Sequence, residues 1–120
     1  MTPNEPGHAP AWFDISTPDA PRARRFYQEM FGWPVSVVDE TYALVGAEDG
    51  QPTGGIGQAG PDSPYTGIVV YFQVANVDTA LERAEHLGGS RRMDPQSVPG
   101  TGRIAVFTDP DGNPVGLLGP

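Results

Sequence analysis

The sequence predicts an α+β fold made of two consecutive units, each with the element order strand, helix, strand, strand, strand. Two spacings support this duplication. The glycines that can end the two predicted helices, Gly32 and Gly89, are 57 residues apart. Two Asp-Gly pairs, Asp49-Gly50 and Asp111-Gly112, are 62 residues apart in the similar stretches EDGQPTGGI and PDGNPVGLL. Asp-Gly is favoured in two-residue hairpins, whose central residues need positive φ angles.

The first unit is predicted over residues 11–58. The alternating stretch AWFDIST, residues 11–17, predicts its first strand. A helix is expected near residues 19–31, because Pro21 is tolerated only in a first turn and Gly32 can end the helix. Its predicted apolar face has helical spacing and consists of Ala23, Phe26, Tyr27, Met30 and Phe31. Three short strands are expected to follow at residues 35–40, 42–48 and 53–58.

The second unit is predicted over residues 68–119, after a linker at residues 59–67 that is rich in Pro and Gly. It begins with the apolar strand IVVYFQV, residues 68–74. Asn76 can cap a helix over residues 77–87. An edge strand at 90–95, a strand at 103–108 and a last strand at 115–119 complete the unit. The two spacings differ by five residues, and we expect the extra residues in a loop around residues 96–101.

Composition limits the classes of partner and the location. The chain has 15 acidic and 7 basic residues and a net charge of −8, which argues against nucleic acid and anionic membranes as partners. Without Cys, a metal site would need His, Asp, Glu or Gln. No apolar run is long enough to span a membrane, and residues 1–10 read as a disordered tail without a signal peptide. A cytoplasmic location and a single domain over residues 11–120 are expected.

The paired units, together with the stretches FYQEMFGW, ANVDTALERAEHLGG and FTDPDGNPVGLL, resemble the vicinal oxygen chelate superfamily. That superfamily includes glyoxalase I, bleomycin-resistance proteins and extradiol dioxygenases. The resemblance implies the glyoxalase/bleomycin-resistance fold, in which βαβββ modules form curved mixed sheets around a cup. It also implies pairing into a homodimer.

Metal-binding members of the superfamily carry His, Gln or Glu at four strand positions. The resemblance places Trp12, Gly54, Val69 and Gly116 at those positions, and none of these side chains can hold a divalent metal. His8 lies in the tail and His86 in the second helix, so neither replaces the missing ligands. No metal or other cofactor is expected.

The cup is expected to be largely apolar, with a few polar groups, as small-molecule sites are. Side chains alternate between the faces of a strand, and the predicted ligand-binding residues are Trp12, Asp14, Ser16, Ile56, Gln58, Tyr71, Gln73 and Leu118. Asp14 is the most informative of them, because a carboxylate in an apolar strand is costly to bury without a partner.

The leading functional hypothesis is a protein without catalytic residues that binds a small, partly aromatic molecule without a metal, as bleomycin-resistance proteins do. Such a protein would sequester an antibiotic or a metabolite. The alternative is a metal-dependent glyoxalase-like lyase or isomerase, or an extradiol-type dioxygenase, with non-standard ligands. Catalysis by Asp14 as a general base and a purely structural role are two further alternatives.

Overall fold

A computed structural model describes residues 8–46, 51–99 and 101–120 of the chain. These residues form two compact units. The first is Trp12–Val70, and the second is Tyr71–Pro120 together with the described residues that precede Trp12. Among the described residues, no helix is long and apolar enough to cross a membrane. The predicted first Asp-Gly turn, Asp49-Gly50, lies outside the described residues.

The first unit has the predicted element order. It contains β1 (Pro10–Thr17), α1 (Ala20–Phe31), β2 (Val35–Asp39), β3 (Tyr42–Gly46) and β4 (Pro52–Gln58). The strand order in the sheet is β2-β3-β4-β1, with β1 parallel to β4 and the other pairs antiparallel. The core of this unit joins the sheet to α1 and is built around Ile15, Val45 and Ile56.

The second unit repeats this architecture. It contains the last three residues of β5 (Gly67–Gln73), which crosses the boundary between the units, followed by α2 (Val77–His86), β6 (Ser90–Val98), β7 (Gly102–Thr108) and β8 (Pro114–Gly119). The strand order is β6-β7-β8-β5, with β5 parallel to β8 and the other pairs antiparallel. Its core consists of Val74, Val77, Leu81, Ala105 and Leu117, so α2 covers one face of the sheet. The predicted α+β class with two βαβββ modules and mixed sheets is confirmed.

Both helices begin and end at residues suited to capping. The Asp19 side chain accepts a hydrogen bond from the Arg22 backbone N–H, and Asn76 accepts one from Thr79 N–H. These two caps are 57 residues apart, as are the predicted helix ends. Gly32 adopts φ 67° at the end of α1, and Gly88 adopts φ 102° just after the C-cap of α2, Leu87. Glycine is favoured at such positions because it has no Cβ to clash there.

The predicted apolar face of α1 is only partly correct. Ala23 and Tyr27 pack against the core of the first unit. Phe26, Met30 and Phe31 are instead 59%, 63% and 56% exposed. The helix packs on its sheet through Ala20, Ala23 and Tyr27. Phe26, Met30 and Phe31 therefore do not lie over the sheet of this unit.

Two other predictions need correction. The stretch 96–98, predicted as loop, belongs to β6, which pairs with β7 as far as Val98 opposite Gly102. The five extra residues therefore lengthen the hairpin of β6 and β7. The pairing of these two strands is irregular, with a register shift on each side of Met93. The predicted tail is also ordered at its end. Pro10 begins β1, and Ala9 accepts a hydrogen bond from the Gln73 backbone N–H.

Candidate functional site

The two faces of β1 have different surroundings. Phe13 and Ile15 point toward α1 and belong to the core of the first unit. Trp12, Asp14 and Ser16 alternate with them, so they lie on the face away from the helix, and all three are half-buried. Trp12, Asp14 and Ser16 therefore share one face of β1, as predicted.

Asp14 is held by two tyrosine hydroxyls. Tyr65 donates a hydrogen bond to Asp14 Oδ2 at 2.7 Å. Tyr42 donates to Oδ1 over a longer distance of 3.4 Å. Tyr65 comes from the linker between β4 and β5, and only 8% of it is exposed. The carboxylate and the two phenols form a cluster that we call the Asp14 cluster.

Glycines in β4 make room for the Tyr42 ring. Asp14 pairs with Gly55 in the parallel register, and Gly55 lies opposite Leu44 in the next strand. A Cβ atom at Gly55 would overlap the Tyr42 hydroxyl, and one at Gly57 would lie 3.2 Å from Tyr42 Cδ1. The phenol of Tyr42 therefore lies across the bare backbone of β4 to reach Asp14, which a larger residue at 55 would prevent.

Burial raises the pKa of Asp14 above its ordinary value of 3.8, and the hydrogen bonds from Tyr65 and Tyr42 lower it by a smaller amount. Desolvation disfavours the charged form of a carboxyl group, whereas a donated hydrogen bond favours it. The raised pKa marks Asp14 as a carboxylate kept partly out of water, which is typical of functional acids and bases.

We expect Asp14→Asn to change how stability depends on pH. Below pH 3.8 the carboxyl is protonated in both states. Between pH 3.8 and the raised pKa of the folded state, the carboxyl ionises in the unfolded protein but stays protonated in the folded one, so the wild type loses stability over this range. The melting temperature of Asp14→Asn minus that of the wild type should therefore be larger at pH 7 than at pH 3. A difference that shrinks toward pH 7 would contradict the direction of this pKa shift.

Two predicted residues of the first unit lie elsewhere. Ile56 is fully buried in the core beneath α1, on the face opposite to Asp14. Gln58 is used at the start of α1, where Oε1 accepts from Ala20 N–H at 3.0 Å and Nε2 donates to the Pro18 carbonyl at 2.6 Å. The predicted alternation of β4 was out of phase by one residue, because Gly54, Ile56 and Gln58 share the helix-facing side.

In the second unit, the predicted Tyr71 is a core residue and not an open binding surface. Tyr71 lies opposite Gly116 in the register and is 6% exposed. A Cβ atom at Gly116 would overlap the Tyr71 ring, so the ring fills the space that glycine leaves. Gln73 and Leu118 alternate onto the same face as Tyr71 and Gly116, with Gln73 exposed and Leu118 half-buried.

Gly116→Ala should destabilise the protein, because the new methyl group would have to displace the buried Tyr71 ring. Overpacking of this kind costs about 1–3 kcal/mol, or a fall of roughly 5 °C or more in the melting temperature. Thermal unfolding followed by circular dichroism measures the change. Gly60→Ala is the matched control, because nothing lies within 4 Å of a Cβ at Gly60. Equal melting temperatures for the two variants would mean that the Tyr71 ring does not lie over Gly116.

The ligand positions implied by the family resemblance need one correction. A Cβ atom at Gly54 would lie 2.5 Å from the Phe13 ring, and Phe13 packs on the core beneath α1. Gly54 therefore faces the helix. In the first unit, Gly55 of β4 pairs with Asp14 of β1. In the second unit, Gly116 of β8 pairs with Tyr71 of β5. Gly55 is therefore the residue of β4 that corresponds to Gly116. The two units thus place a glycine at the same strand position, and a tyrosine ring covers each glycine.

A divalent metal does not fit these positions. The glycines have no side-chain donor, and Tyr42 and Tyr71 occupy the space that a donor at 55 or 116 would use. Over residues 8–46, 51–99 and 101–120, no three His, Cys, Asp or Glu side chains lie close enough together to hold an ion. His86 is exposed at the end of α2, and His8 Nδ1 lies 3.1 Å from the Gln73 carbonyl oxygen.

Two clefts lie away from the predicted ligand-binding residues. One, of about 170 Å³, is at the edge of the first unit and is lined by Pro34, Val35, Ser36, Leu44, Val45, Gly46 and Pro52. The other, of about 590 Å³, adjoins the β6–β7 hairpin and is lined by Ser97, Val98, Pro99, Thr101, Gly102, Arg103 and Pro120. Neither includes a carboxylate or a tyrosine of the Asp14 cluster.

Sequence reasoning missed Tyr42, Tyr65 and Gly55. Tyr42 begins a strand next to the glycine-rich β4, and an aromatic ring often covers a glycine on the neighbouring strand. Tyr65 is the one aromatic residue of the linker at 59–67, which otherwise reads as Pro- and Gly-rich loop. Both tyrosines can be noticed in the sequence, but the sequence does not show which carboxylate their hydroxyls reach.

Comparisons with known proteins agree with this architecture. The chain is 36% identical to the anthracycline biosynthesis protein DauV of Streptomyces sp. (strain C5), over 93% of this chain and 46% of that protein. It therefore spans about half the length of this relative. An extradiol ring-cleaving dioxygenase from B. fuscum is 23% identical with a TM-score of 0.65, over 92% of this chain and 32% of that one. The Mn(II)-bound glyoxalase from Novosphingobium aromaticivorans is 19% identical with a TM-score of 0.65, over 92% of this chain and 38% of that one.

The two solved structures show that the fold is shared. A family model of the Glyoxalase/Bleomycin resistance protein/Dioxygenase superfamily matches residues 9–117, which covers nearly all of the two units. The chain therefore belongs to the Glyoxalase/Bleomycin resistance protein/Dioxygenase superfamily.

Proposed function

We propose that this chain binds a flat, hydroxylated aromatic small molecule on the face of the first unit that carries Trp12 and Asp14, and that it does so without a metal ion. One observation carries the proposal. A half-buried carboxylate, held by two phenols, lies on the same strand face as a half-buried indole. An aromatic surface beside a single oriented acceptor is a typical composition for a small-molecule site.

The chemistry of the two side chains defines the ligand class. An indole offers a wide apolar face, and stacking of aromatic rings adds about 0.5–1.5 kcal/mol beyond the area that is buried. A carboxylate can accept about four hydrogen bonds, and the described structure assigns two to Asp14. A ligand hydroxyl or protonated amine can use the remaining acceptor capacity, so we expect a planar ring system that carries such a group.

The relative DauV supports this class by its name, which assigns it to anthracycline biosynthesis. Anthracyclines have planar, hydroxylated ring systems. We therefore propose a molecule of anthracycline type as the first ligand to test, and sequestration of such a molecule as the role. The glycines at 55 and 116 and the rings that cover them support binding without a metal.

The test is a fluorescence titration of Trp33→Phe protein with an anthracycline. Trp33 stacks at 5.6 Å on Tyr27 and at 5.0 Å on Phe31, on the α1 side of the sheet, so its removal leaves Trp12 as the reporter. We expect saturable quenching at one ligand per chain, unchanged by EDTA. Elemental analysis of untreated protein runs in parallel. One equivalent of bound Zn, Mn, Ni or Fe that is needed for ligand binding would favour a metal-dependent lyase, isomerase or dioxygenase instead.

We also propose that the chain forms a homodimer. The first unit exposes Phe26, Met30 and Phe31 on α1, and Val37 and Val38 on β2. Phe26 and Met30 are four residues apart and so are neighbours on the helix surface. Exposed apolar clusters such as the one on α1 often mark interfaces. A second copy is the expected partner, because the relative DauV is about twice as long as this chain and so contains a further segment of similar size.

Light scattering after size exclusion should therefore give about twice the chain mass of 12.7 kDa at micromolar concentration. The double variant Phe26→Asp, Met30→Asp should shift the mass toward one chain, because two charges would be buried without partners. Gln28→Asp adds a charge at an exposed polar position of the same helix and is the control. A wild-type mass of one chain would rule out this dimer.

A further inference from the structure

The carboxylate of Asp14 has no positively charged partner in the first unit. The two hydrogen bonds that it accepts come from the neutral phenols of Tyr65 and Tyr42. The basic residues of this unit, Trp12–Val70, are three arginines, and all of them belong to α1. That helix packs on the Phe13 and Ile15 side of β1, which is the face opposite to Asp14. The fold of the unit therefore keeps its own cations away from this carboxylate. The three arginines are Arg22, Arg24 and Arg25.

A half-buried carboxylate in this position lacks charge compensation. A carboxylate that leaves water is stabilised when a cation pairs with it, and its burial is costly when no cation does. The phenols of Tyr65 and Tyr42 orient the carboxylate and offset part of this cost. They carry no positive charge, and burial still raises the pKa of Asp14 above its ordinary value. The ionised form of Asp14 would therefore be stabilised further by a cation that a ligand brings.

A ligand hydroxyl would compensate less than a ligand ammonium. A hydroxyl can donate one neutral hydrogen bond to Asp14, as the two tyrosines already do. An ammonium donates a charge-assisted hydrogen bond, which is shorter and roughly twice as strong. It also supplies the positive charge that the surrounding phenols lack. The carboxylate therefore distinguishes between the two groups through charge.

The surroundings of the carboxylate suit an ammonium that is close to a flat ring. Trp12 lies two residues before Asp14 on the same strand face, so the two residues are about 6–7 Å apart along β1. A ring that stacks on the indole can place a group one carbon away from it near Asp14. The faces of aromatic rings attract cations as well, most strongly the face of Trp. The net charge of −8 further favours a cationic ligand over an anionic one.

We propose that Asp14 is a specificity-determining residue, which selects ligands that carry a protonated amine next to a flat aromatic ring over ligands with a hydroxyl at that place. This inference rests on the proposed binding of an aromatic molecule at the same face. It narrows the ligand class, because the group that meets Asp14 is an ammonium, whereas hydroxyls occupy other positions of the ring system. Recognition involves no covalent step.

The experiment compares two probes that share one ring and differ in charge. 2-Naphthylmethylamine is protonated at neutral pH, and 2-naphthylmethanol carries a hydroxyl at the same position. Isothermal titration calorimetry at pH 7 measures both dissociation constants, in about 0.15 M salt so that distant charges are screened. We expect the amine to bind wild-type protein at least about tenfold more tightly, because hydrogen bonds to charged groups exceed neutral ones by about this factor in affinity.

Two variants separate Asp14 from the overall charge of the protein. Asp14→Asn should remove the preference for the amine and leave the affinity for the alcohol within about threefold, since the amide keeps the size of the side chain and one acceptor oxygen. Asp62→Asn removes one negative charge at an exposed position of the linker, and it should keep the preference. Binding of the alcohol shows that each variant is folded at this face.

A pH series on the wild type gives a second measurement that needs no variant. The titratable groups in contact with Asp14 in the first unit are Tyr42 and Tyr65, and phenols do not ionise at acid pH. As the pH falls through the raised pKa of Asp14, the carboxylate takes up a proton while the amine probe stays charged. The affinity for the amine should therefore fall toward that for the alcohol, which should change less.

The outcomes are distinct from one another. Equal affinities of the two probes for the wild type would overturn the selection of an amine and leave the proposed aromatic site intact. A preference that persists in Asp14→Asn, or an amine affinity that is constant over the pH series, would also overturn it. Binding of an anthracycline without binding of the amine probe would do the same. If neither the anthracycline nor either probe binds, the proposed function fails, and this inference fails with it.

Discussion

Replacing Leu81 by Ala should lower the free energy of unfolding by about 2–5 kcal/mol, the usual cost of removing a large aliphatic side chain from a core. Leu81 is fully buried in α2 and packs in the core cluster with Val74, Val77 and Leu117. The loss combines the transfer energy of the missing methyl groups with the cost of the cavity that remains. For a domain whose total stability is on the order of 5–15 kcal/mol, this loss is a large fraction.

Leu87→Ala provides a control with the same change of side chain. Leu87 lies just after α2 and is 63% exposed, so its truncation removes little buried surface. Urea unfolding followed by circular dichroism gives both free energies, and the midpoints should differ clearly while the slopes stay equal. Similar midpoints for the two variants would show that α2 does not cover the second sheet through Leu81.

Replacing Trp12 by Ala should weaken binding of the aromatic ligand at least tenfold, about 1.4 kcal/mol. The indole is half-buried on the face of β1 that carries Asp14. Its removal takes away both contact area and ring stacking, whereas Trp12→Phe keeps a smaller ring and should lose less. Because this substitution removes the fluorescent reporter, the dissociation constants are measured by isothermal titration calorimetry.

Trp33→Phe is the matched control for this prediction. Trp33 stacks on Tyr27 and Phe31 and lies 5.2 Å from Phe13 in a tilted arrangement, on the opposite face of the sheet. Its replacement should therefore leave the ligand affinity within about twofold. Unchanged affinity in Trp12→Ala would show that the ligand does not contact this face of β1. If only Trp33→Phe loses ligand affinity, the ligand binds on the α1 side of the sheet.

Much of the local structure could be predicted because it depends on residues close together in the sequence. Asp19, Gly32 and Asn76 mark helix ends through caps that involve only neighbouring backbone groups. Alternation along β1 placed Trp12 and Asp14 on one face, because the period of a strand is a property of the strand itself. The duplication was visible for the same reason, since each unit repeats the same local signals.

The phase of β4 could not be predicted from a glycine-rich stretch. Gly54, Gly55 and Gly57 give no hydrophobic pattern, and a shift of one residue moves every side chain to the other face. Only the pairing with β1 shows that Gly55 lies beside Asp14 and that Ile56 lies in the core. The same ambiguity explains why Gln58 was predicted on the wrong face of β4. Its side chain binds backbone groups at the start of α1.

The α+β class, the two βαβββ modules and the unusual carboxylate of β1, Asp14, all follow from local patterns in the amino-acid sequence. The surroundings of that carboxylate depend on how distant segments pack. Tyr42 and Tyr65 are 28 and 51 residues from Asp14 in sequence, and their hydroxyls reach it only after β3 and the linker have packed. Such contacts depend on register and on the space that a glycine leaves, and neither is written in the local pattern of a strand.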